Sequence, residues 1–448
     1  MVGRFCGIML RGKSMEVHMK KYELDAIETN IIKTLVTNPI GRNSEVFDFL
    51  RLLDNIEGSA KISLDANWGD GKTFFVKQSA LLLNYLRESS FERVPSSDNN
   101  DVLTGLIDGN QISMDKTFIP IYYDAWLFDD HPNPILSLMY NLIINGYVSD
   151  DLTKKKNLLN KAMIISENFM KLMGVDINIE ELFNMSDELD EVYSIEKTKT
   201  LLKDILDEII NENCDKLLVI IDELDRCRPS YAIKLLERIK HFFDDDRVIF
   251  IFATNKAQLV HTVKSFYGAE FNASTYLNRF FEFQFSLEKI NVDSYFDFID
   301  ISRNSALASQ NIAIDIGNYY KFSMREFNIY YSKLKSVEPL SITRGTSFCY
   351  NILAPIAWAL SIVDIEKERE FTSGRLISEL QEVLSNVPSM KEFAIRWGGY
   401  DEMDIILENI DKLYKYMFTT SSNDAYYKGN FDISIYDRKK ILNRIRMA

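Results

Sequence analysis

Lys61-Ile62-Ser63-Leu64-Asp65-Ala66-Asn67-Trp68-Gly69-Asp70-Gly71-Lys72-Thr73 reads as a short strand, a glycine-bearing turn, and a Lys-Thr pair opening a helix. That is the layout of a phosphate-binding loop. Backbone N–H groups from Trp68 to Thr73 are in position to face phosphate oxygens, and Gly69 and Gly71 allow the chain to approach closely. With Asn67 and Asp70 completing the cradle, Lys72 would sit against the outer phosphates and Thr73 would ligate Mg2+. Ala66 stands where the usual pattern has glycine, which is tolerable at negative φ and damaging at positive φ. A match this loose arises by accident in on the order of a few per cent of chains of this length. The rest of the chain has to decide it.

Working outward, Phe118-Ile119-Pro120-Ile121-Tyr122-Tyr123 reads as a second strand, followed by Asp124-Ala125-Trp126. Lys216-Leu217-Leu218-Val219-Ile220-Ile221 is a continuous apolar run, as expected of a strand covered on both faces. It ends in Asp222-Glu223-Leu224-Asp225-Arg226-Cys227-Arg228-Pro229. A carboxylate at the C-terminal end of such a strand is where an NTPase holds Mg2+, here Asp222, with the following Glu223 free to orient a water. Another buried run over residues 247–253 ends in Thr254-Asn255, and Asn255 is placed to reach a terminal phosphate or the attacking water. An alternating strand is expected over 280–285. Helices fill the intervals, with Ser44 as the expected N-cap of a helix to residue 55. Strand–helix alternation of this kind predicts an α/β fold with a mostly parallel sheet, helices on both faces and the ligand at the strands' C-terminal ends. A phosphate loop, an Asp-Glu strand end and a Thr-Asn strand end in this order support one another far more than any does alone.

The 448 residues carry a net charge of −14, a balance that argues against a broad nucleic-acid footprint. Cys6, Cys214, Cys227 and Cys349 fall in no ligand-like spacing, nor do His18, His131, His241 and His261, which suggests a reducing cytoplasm and no zinc site. Residues 1–10 make a poor signal peptide, and Met15 and Met19 are alternative starts. The longest apolar run, 348–363, is short for a membrane span and reads as a buried helix. Segment 101–115 reads as irregular and solvent-facing, and 149–214 as helices without a strand. The acidic run 187–191 reads as a solvated face. The resulting layout is an N-terminal extension (1–37), a nucleotide-binding core (38–148 and 215–290), a helical insertion (149–214) and a C-terminal helical domain (291–448). Trp126 reads as packing, with a contact to the Asp222 loop as the sharper alternative. Arg438, Lys439, Lys440, Arg444 and Arg446 read as a solvated helix face rather than a nucleic-acid contact.

Trp68 directly before Gly69-Asp70-Gly71-Lys72-Thr73, the Asp124-Ala125-Trp126 triplet and Asp222-Glu223-Leu224-Asp225-Arg226-Cys227-Arg228-Pro229 together resemble the KAP family of P-loop NTPases. Arg42, in Ile40-Gly41-Arg42, matches the short element that precedes the phosphate loop in that family. The resemblance covers roughly residues 38–335. It implies a sheet of the additional-strand, catalytic-glutamate type, Mg2+-dependent ATP hydrolysis, and a helical region that donates an arginine, best matched by Arg325. An ordinary surface charge is the competing reading of Arg325. Arg279 lies where relatives carry a basic residue before the last strand. Glu223 stands where many members have Asp, and the transmembrane insertion common in the family is not visible between the two motifs, so no membrane partner is expected. Bacterial relatives are implicated in defence against phage, which makes that the expected setting. Three roles follow: an ATPase driving a conformational or assembly switch with a protein partner or effector encoded nearby, a nucleotide-gated scaffold with little turnover, or a nucleic-acid-stimulated motor. A homo-oligomer is compatible with each.

Overall fold

Five parallel strands carry the phosphate loop and the acidic strand end side by side, in the order β2-β3-β4-β1-β5. They are β1 (Ala60–Asp65), β2 (Phe118–Asp124), β3 (Lys216–Asp222), β4 (Val248–Thr254) and β5 (Phe283–Ser286). The computed structural model describes residues 24–91, 98–146, 152–171, 189–210, 214–288, 295–296, 308–336, 344–398, 403–419, 426–427 and 433–447. These belong to two compact units, one of them Asp25–Phe298 and the other including Ile299–Ala448.

In the first unit, β4 pairs with β1 on one side and with β3 on the other. A strand is thus inserted between the phosphate-loop strand and the acidic strand, the additional-strand arrangement expected. Every residue of β3 and β4 is buried. The side-chain period of two explains why such runs are continuously apolar. Leu217, Val219 and Ile221 pack on one face, with α5 (Pro134–Asn145), α6 (Leu152–Lys171), α7 (Leu189–Ile210), α8 (Pro229–Phe242) and α9 (Lys256–Tyr267). Leu218 and Ile220 pack on the other, with α1 (Glu28–Thr37), α2 (Asn43–Asp54), α3 (Lys72–Ser90) and α4 (Asp98–Gly109). Each such fully buried side chain stabilises by about 1.5–3 kcal/mol. β5 is an edge strand and mostly exposed.

Several expectations change in detail. The segment expected to be irregular before Asp115 contains helix α4, whose Leu103 and Ile107 are buried in the core. Its apolar residues are spaced four apart, but the polar stretch preceding it hid the pattern. Ser44 lies inside α2. Arg42 occupies the cap position, and Asn38 Oδ1 accepts from the Asn43 N–H at 3.1 Å while Asn43 Nδ2 donates to Leu35 O at 2.6 Å. Helix α1, expected in an extension, contributes Ile31 and Leu35 to the same core as the sheet. The insertion helices α6 and α7 continue the opposite layer through Leu158, Ala162, Leu202 and Leu206. The side chains of the acidic run 187–191 lie outside the described residues, as do residues 1–23 with Cys6, His18, Met15 and Met19.

The described residues of the second unit are helical, with one addition: Tyr426–Tyr427 and Ile433–Ser434 form a short antiparallel pair, too brief to leave an alternating pattern. Gly345–Val363 is the one described helix long and apolar enough to cross a membrane, and 78% of that stretch is buried within the protein. It passes through a π-turn at Cys349–Leu353, two residues ahead of Pro355. Proline lacks the N–H that would close the regular ladder, and a π-turn absorbs the mismatch. Arg438, expected on a solvated face, is buried, donates Nε–H to Met417 O at 3.2 Å and lies over the Tyr416 ring. Arg444 lies over Tyr350.

At the N-terminal edge of the sheet, buried Lys216 donates from Nζ to Gly58 O at 3.0 Å, to Asp246 O at 2.6 Å and to Glu57 O. It ties together the entries to β1, β3 and β4. Replacing one partner of buried hydrogen bonds leaves the others unsatisfied at about 1–3 kcal/mol. Lys216→Met should therefore lower the urea midpoint by an amount equivalent to about 2–4 kcal/mol; a midpoint equal to wild type would show the clamp to be dispensable.

Candidate functional site

The site is built at the C-terminal ends of β1, β3 and β4, where the strand order places the loop after β1 one strand away from the end of β3. Between β1 and α3 the chain turns at Gly69 and Gly71, both at φ +86°. Those angles suit glycine and would strain most other residues. Ala66 is not among the residues with positive φ, so the departure from the usual pattern carries no backbone penalty. The turn is braced internally: the Asn67 N–H donates to Asp70 Oδ2 at 3.1 Å, and the Asp70 N–H to Asn67 O at 3.3 Å.

Lys72 opens α3. Its buried ammonium donates to Ala66 O at 2.8 Å and Asn67 O at 3.1 Å. Burial pulls its pKa down, and Asp225, Asp222, Glu223 and Asp70 oppose that. Thr73 Oγ1 donates to Asp222 Oδ2 at 2.7 Å. Asp222 has no exposed surface. Its Oδ2 also accepts from Tyr122 OH at 2.9 Å, and its Oδ1 from the Glu223 N–H at 2.9 Å. Burial raises its pKa and these three donors counter the rise. Tyr122 was not singled out by sequence. It projects from β2, paired directly with β3, and no local signal reports that register.

Glu223 leaves β3 in the left-handed region, φ +62°, a conformation that costs a non-glycine residue on the order of 1 kcal/mol or more. Its Oε2 meets Arg226 Nε at 2.6 Å. Burial and the neighbouring Asp222 push its pKa up to about 7, against the pull of Arg226. Arg226 lies 5.7 Å from the Trp68 ring and 5.6 Å from the Trp126 ring, and Trp68 Nε1 donates to Asp225 Oδ2 at 2.5 Å. Trp126 is 53% exposed, so the packing reading is overturned and the contact with the loop after Asp222 holds instead. Asp124 Oδ1 accepts from the Trp126 and Leu127 N–H groups, fixing that corner.

Arg42 is buried and donates to Asp70 O and, at 2.6 Å, to Glu288 O. It straps the phosphate loop to the segment after β5. Asn255 is buried beside the site, but its Oδ1 caps α9 by accepting from the Gln258 N–H at 3.2 Å, which leaves its Nδ2 as the donor available to a ligand. Arg279 is exposed ahead of β5. Arg325 is exposed in the first turn of Met324–Ser336, within the other unit. Thus Asn67–Thr73, Arg42, Asp222, Glu223 and Asn255 share one edge of one sheet, and Arg325 belongs to a different body.

The donor set fits a Mg2+–nucleotide pair. A threonine hydroxyl and a single carboxylate are hard oxygen ligands, and Mg2+ takes one or two carboxylates with its remaining positions left to waters and phosphates. Among the described residues no group of three or more His, Cys, Asp or Glu gathers to form a self-sufficient cage. Residues 42–321 match the KAP family P-loop domain. No curated protein matches the chain.

Because the Glu223 carboxyl titrates near 7 in the folded chain against an ordinary value of 4.5, the folded state binds the extra proton between those values. Stability from this residue is present at the low end and is lost as pH rises through about 7. Glu223→Gln should flatten this part of the profile in metal-free buffer. Its urea midpoint should gain on wild type between pH 5 and pH 7.5, and parallel profiles would refute the assignment.

Proposed function

The chain belongs to the KAP family of P-loop NTPases, and from that premise we propose that it binds Mg2+-ATP and hydrolyses it to drive a conformational or assembly switch. The observation that carries this reading is the 2.7 Å contact between the Thr73 hydroxyl and the buried Asp222 carboxylate, with Lys72 and Glu223 flanking it. Bound metal would neutralise phosphate charge and polarise the bond to be broken. The chain's own residues supply the rest. Backbone N–H groups of Trp68–Thr73 cradle phosphate oxygens, and Lys72 turns from the Ala66 and Asn67 carbonyls toward the outer phosphates. Thr73 and Asp222 hold the cation. Glu223 orients a water, Asn255 offers its amide to the terminal phosphate, and Arg42 keeps the loop in register. Arg325 is the arginine that the family resemblance implies. The nucleotide-binding core takes in 38–148 and 215–290 together with α1, with 149–214 as a helical insertion and 291–448 as a C-terminal helical domain. Bacterial defence against phage, in the cytoplasm and with an effector encoded nearby, is the setting proposed from the family resemblance alone.

A second reading, a nucleotide-gated scaffold with little turnover, is favoured by one observation: the Glu223 carboxylate already engages Arg226. Phosphate release measured beside size-exclusion profiles with ATP, ADP and no nucleotide separates the two. Steady turnover supports the ATPase; a size shift with negligible turnover supports the scaffold.

Glu223→Gln should retain ATP binding and lose turnover by about 100-fold or more, whereas Lys72→Ala should lose binding itself. Retained hydrolysis in Glu223→Gln, scored by phosphate release, would sink the role given to that carboxylate.

A further inference from the structure

The stretch after β3 does more than end a strand. Leu224–Arg226 is a single 3-10 turn whose Arg226 N–H donates to Glu223 O at 3.1 Å. The turn brings the Arg226 guanidinium back over the residue where it began, and Nε meets Glu223 Oε2 at 2.6 Å. Both side chains are about four-fifths buried, 23% and 21% exposed. The guanidinium is also within cation–π range of two indoles from two other loops, Trp68 before Gly69 and Trp126 after β2. Trp68 is fastened in turn to Asp225, the residue next to Arg226.

We propose that Arg226 is a positioning residue that aims the Glu223 carboxylate and, through its contact with Trp68, couples that aim to the conformation of the phosphate loop. This rests on the reading of Glu223 as the water-orienting carboxylate. The physical case has three parts. A glutamate left alone has three rotatable bonds, and fixing a side chain of this kind costs up to about 2 kcal/mol of rotamer freedom; the Arg226 contact selects one direction. Glu223 already stands in a left-handed backbone conformation, so its side-chain exit vector is set by the same turn that carries Arg226. Finally, the planar guanidinium can stack on indoles while donating along its edge, which an ammonium cannot do. Displacement of the phosphate loop moves Trp68 and therefore the face against which Arg226 rests. Trp126 supplies a second, exposed face, which keeps Arg226 from swinging into solvent.

The test compares Arg226→Ala, Arg226→Lys, Trp126→Ala and Trp126→Phe with wild type in steady-state phosphate release and in equilibrium binding of Mg2+-ATP. Misaimed catalytic groups lose rate on the order of tenfold to a hundredfold. Arg226→Ala should lower kcat by about tenfold or more with KM and Kd within about threefold. Arg226→Lys should not restore the rate, Trp126→Phe should keep it within about twofold, and Trp126→Ala should fall in between. Unchanged or raised kcat in Arg226→Ala, full rescue by lysine, or a parallel loss of ATP affinity would overturn the proposal. A second readout is independent of turnover. With 5-fluorotryptophan incorporated at the four tryptophans, the Trp126 resonance should shift on adding Mg2+-ATP to wild type and not in Arg226→Ala. Equal shifts in both would overturn the coupling. If wild type binds Mg2+-ATP and releases no phosphate, the ATPase reading fails on that result, while the resonance test still decides the role of Arg226.

Discussion

A single buried carboxylate organises the candidate site of this protein. Asp222 has no exposed surface and ends the strand flanked by β2 and β4. Burying an unpaired charge there would be prohibitively unfavourable. Its oxygens are instead met by Thr73 Oγ1, Tyr122 OH and the Glu223 N–H, which come from α3, β2 and its own chain neighbour. The need to satisfy one carboxylate therefore fixes the start of α3 against the ends of two strands. The same oxygens are those that the proposed divalent cation would claim.

Around that centre the loops are fastened by side chains that reach backbone rather than one another. Arg42 joins the phosphate loop to the segment after β5, and Lys72 folds onto Ala66 and Asn67. Asp65 Oδ1 accepts from the Lys256 N–H at 2.9 Å, binding the end of β1 to the start of α9. Backbone partners of this kind hold loop shape whatever the neighbouring side chains do, and they satisfy carbonyls that a turn leaves without ladder partners. Trp68, Asp225, Arg226 and Trp126 add a side-chain layer over the top. That layer carries the residue that grips Glu223.

The fold was largely legible in the chain because its strands are extreme cases. β3 and β4 are buried throughout, so their composition could only be apolar, and their ends at Asp222 and Thr254 broke that pattern sharply. The lining residues Asn67–Thr73, Asp222 and Glu223 were legible for the same reason: each sits at a transition that sequence marks. Helix α4 was missed because a polar lead-in masked Leu103 and Ile107. Tyr122 and Arg226 were not assigned parts in the site. Tyr122 acts across a strand pair whose register is set by the whole sheet, and Arg226 acts through two aromatic rings distant in sequence.

What the sequence determined by itself was the set of elements and the order of the phosphate loop, the acidic strand end and the polar strand end, since periodicity and turn chemistry are local. It also placed glycines at 69 and 71, where the loop takes angles that suit glycine. The place of β4 between β1 and β3 follows the arrangement that the family resemblance implies, but only the tertiary structure decided that Tyr122 reaches Asp222 across the β2–β3 pair and that Trp126 faces Arg226 instead of the core. Each of those depends on which strands become neighbours. Strand pairing is a sum of many non-local contacts, and no short stretch of chain contains it.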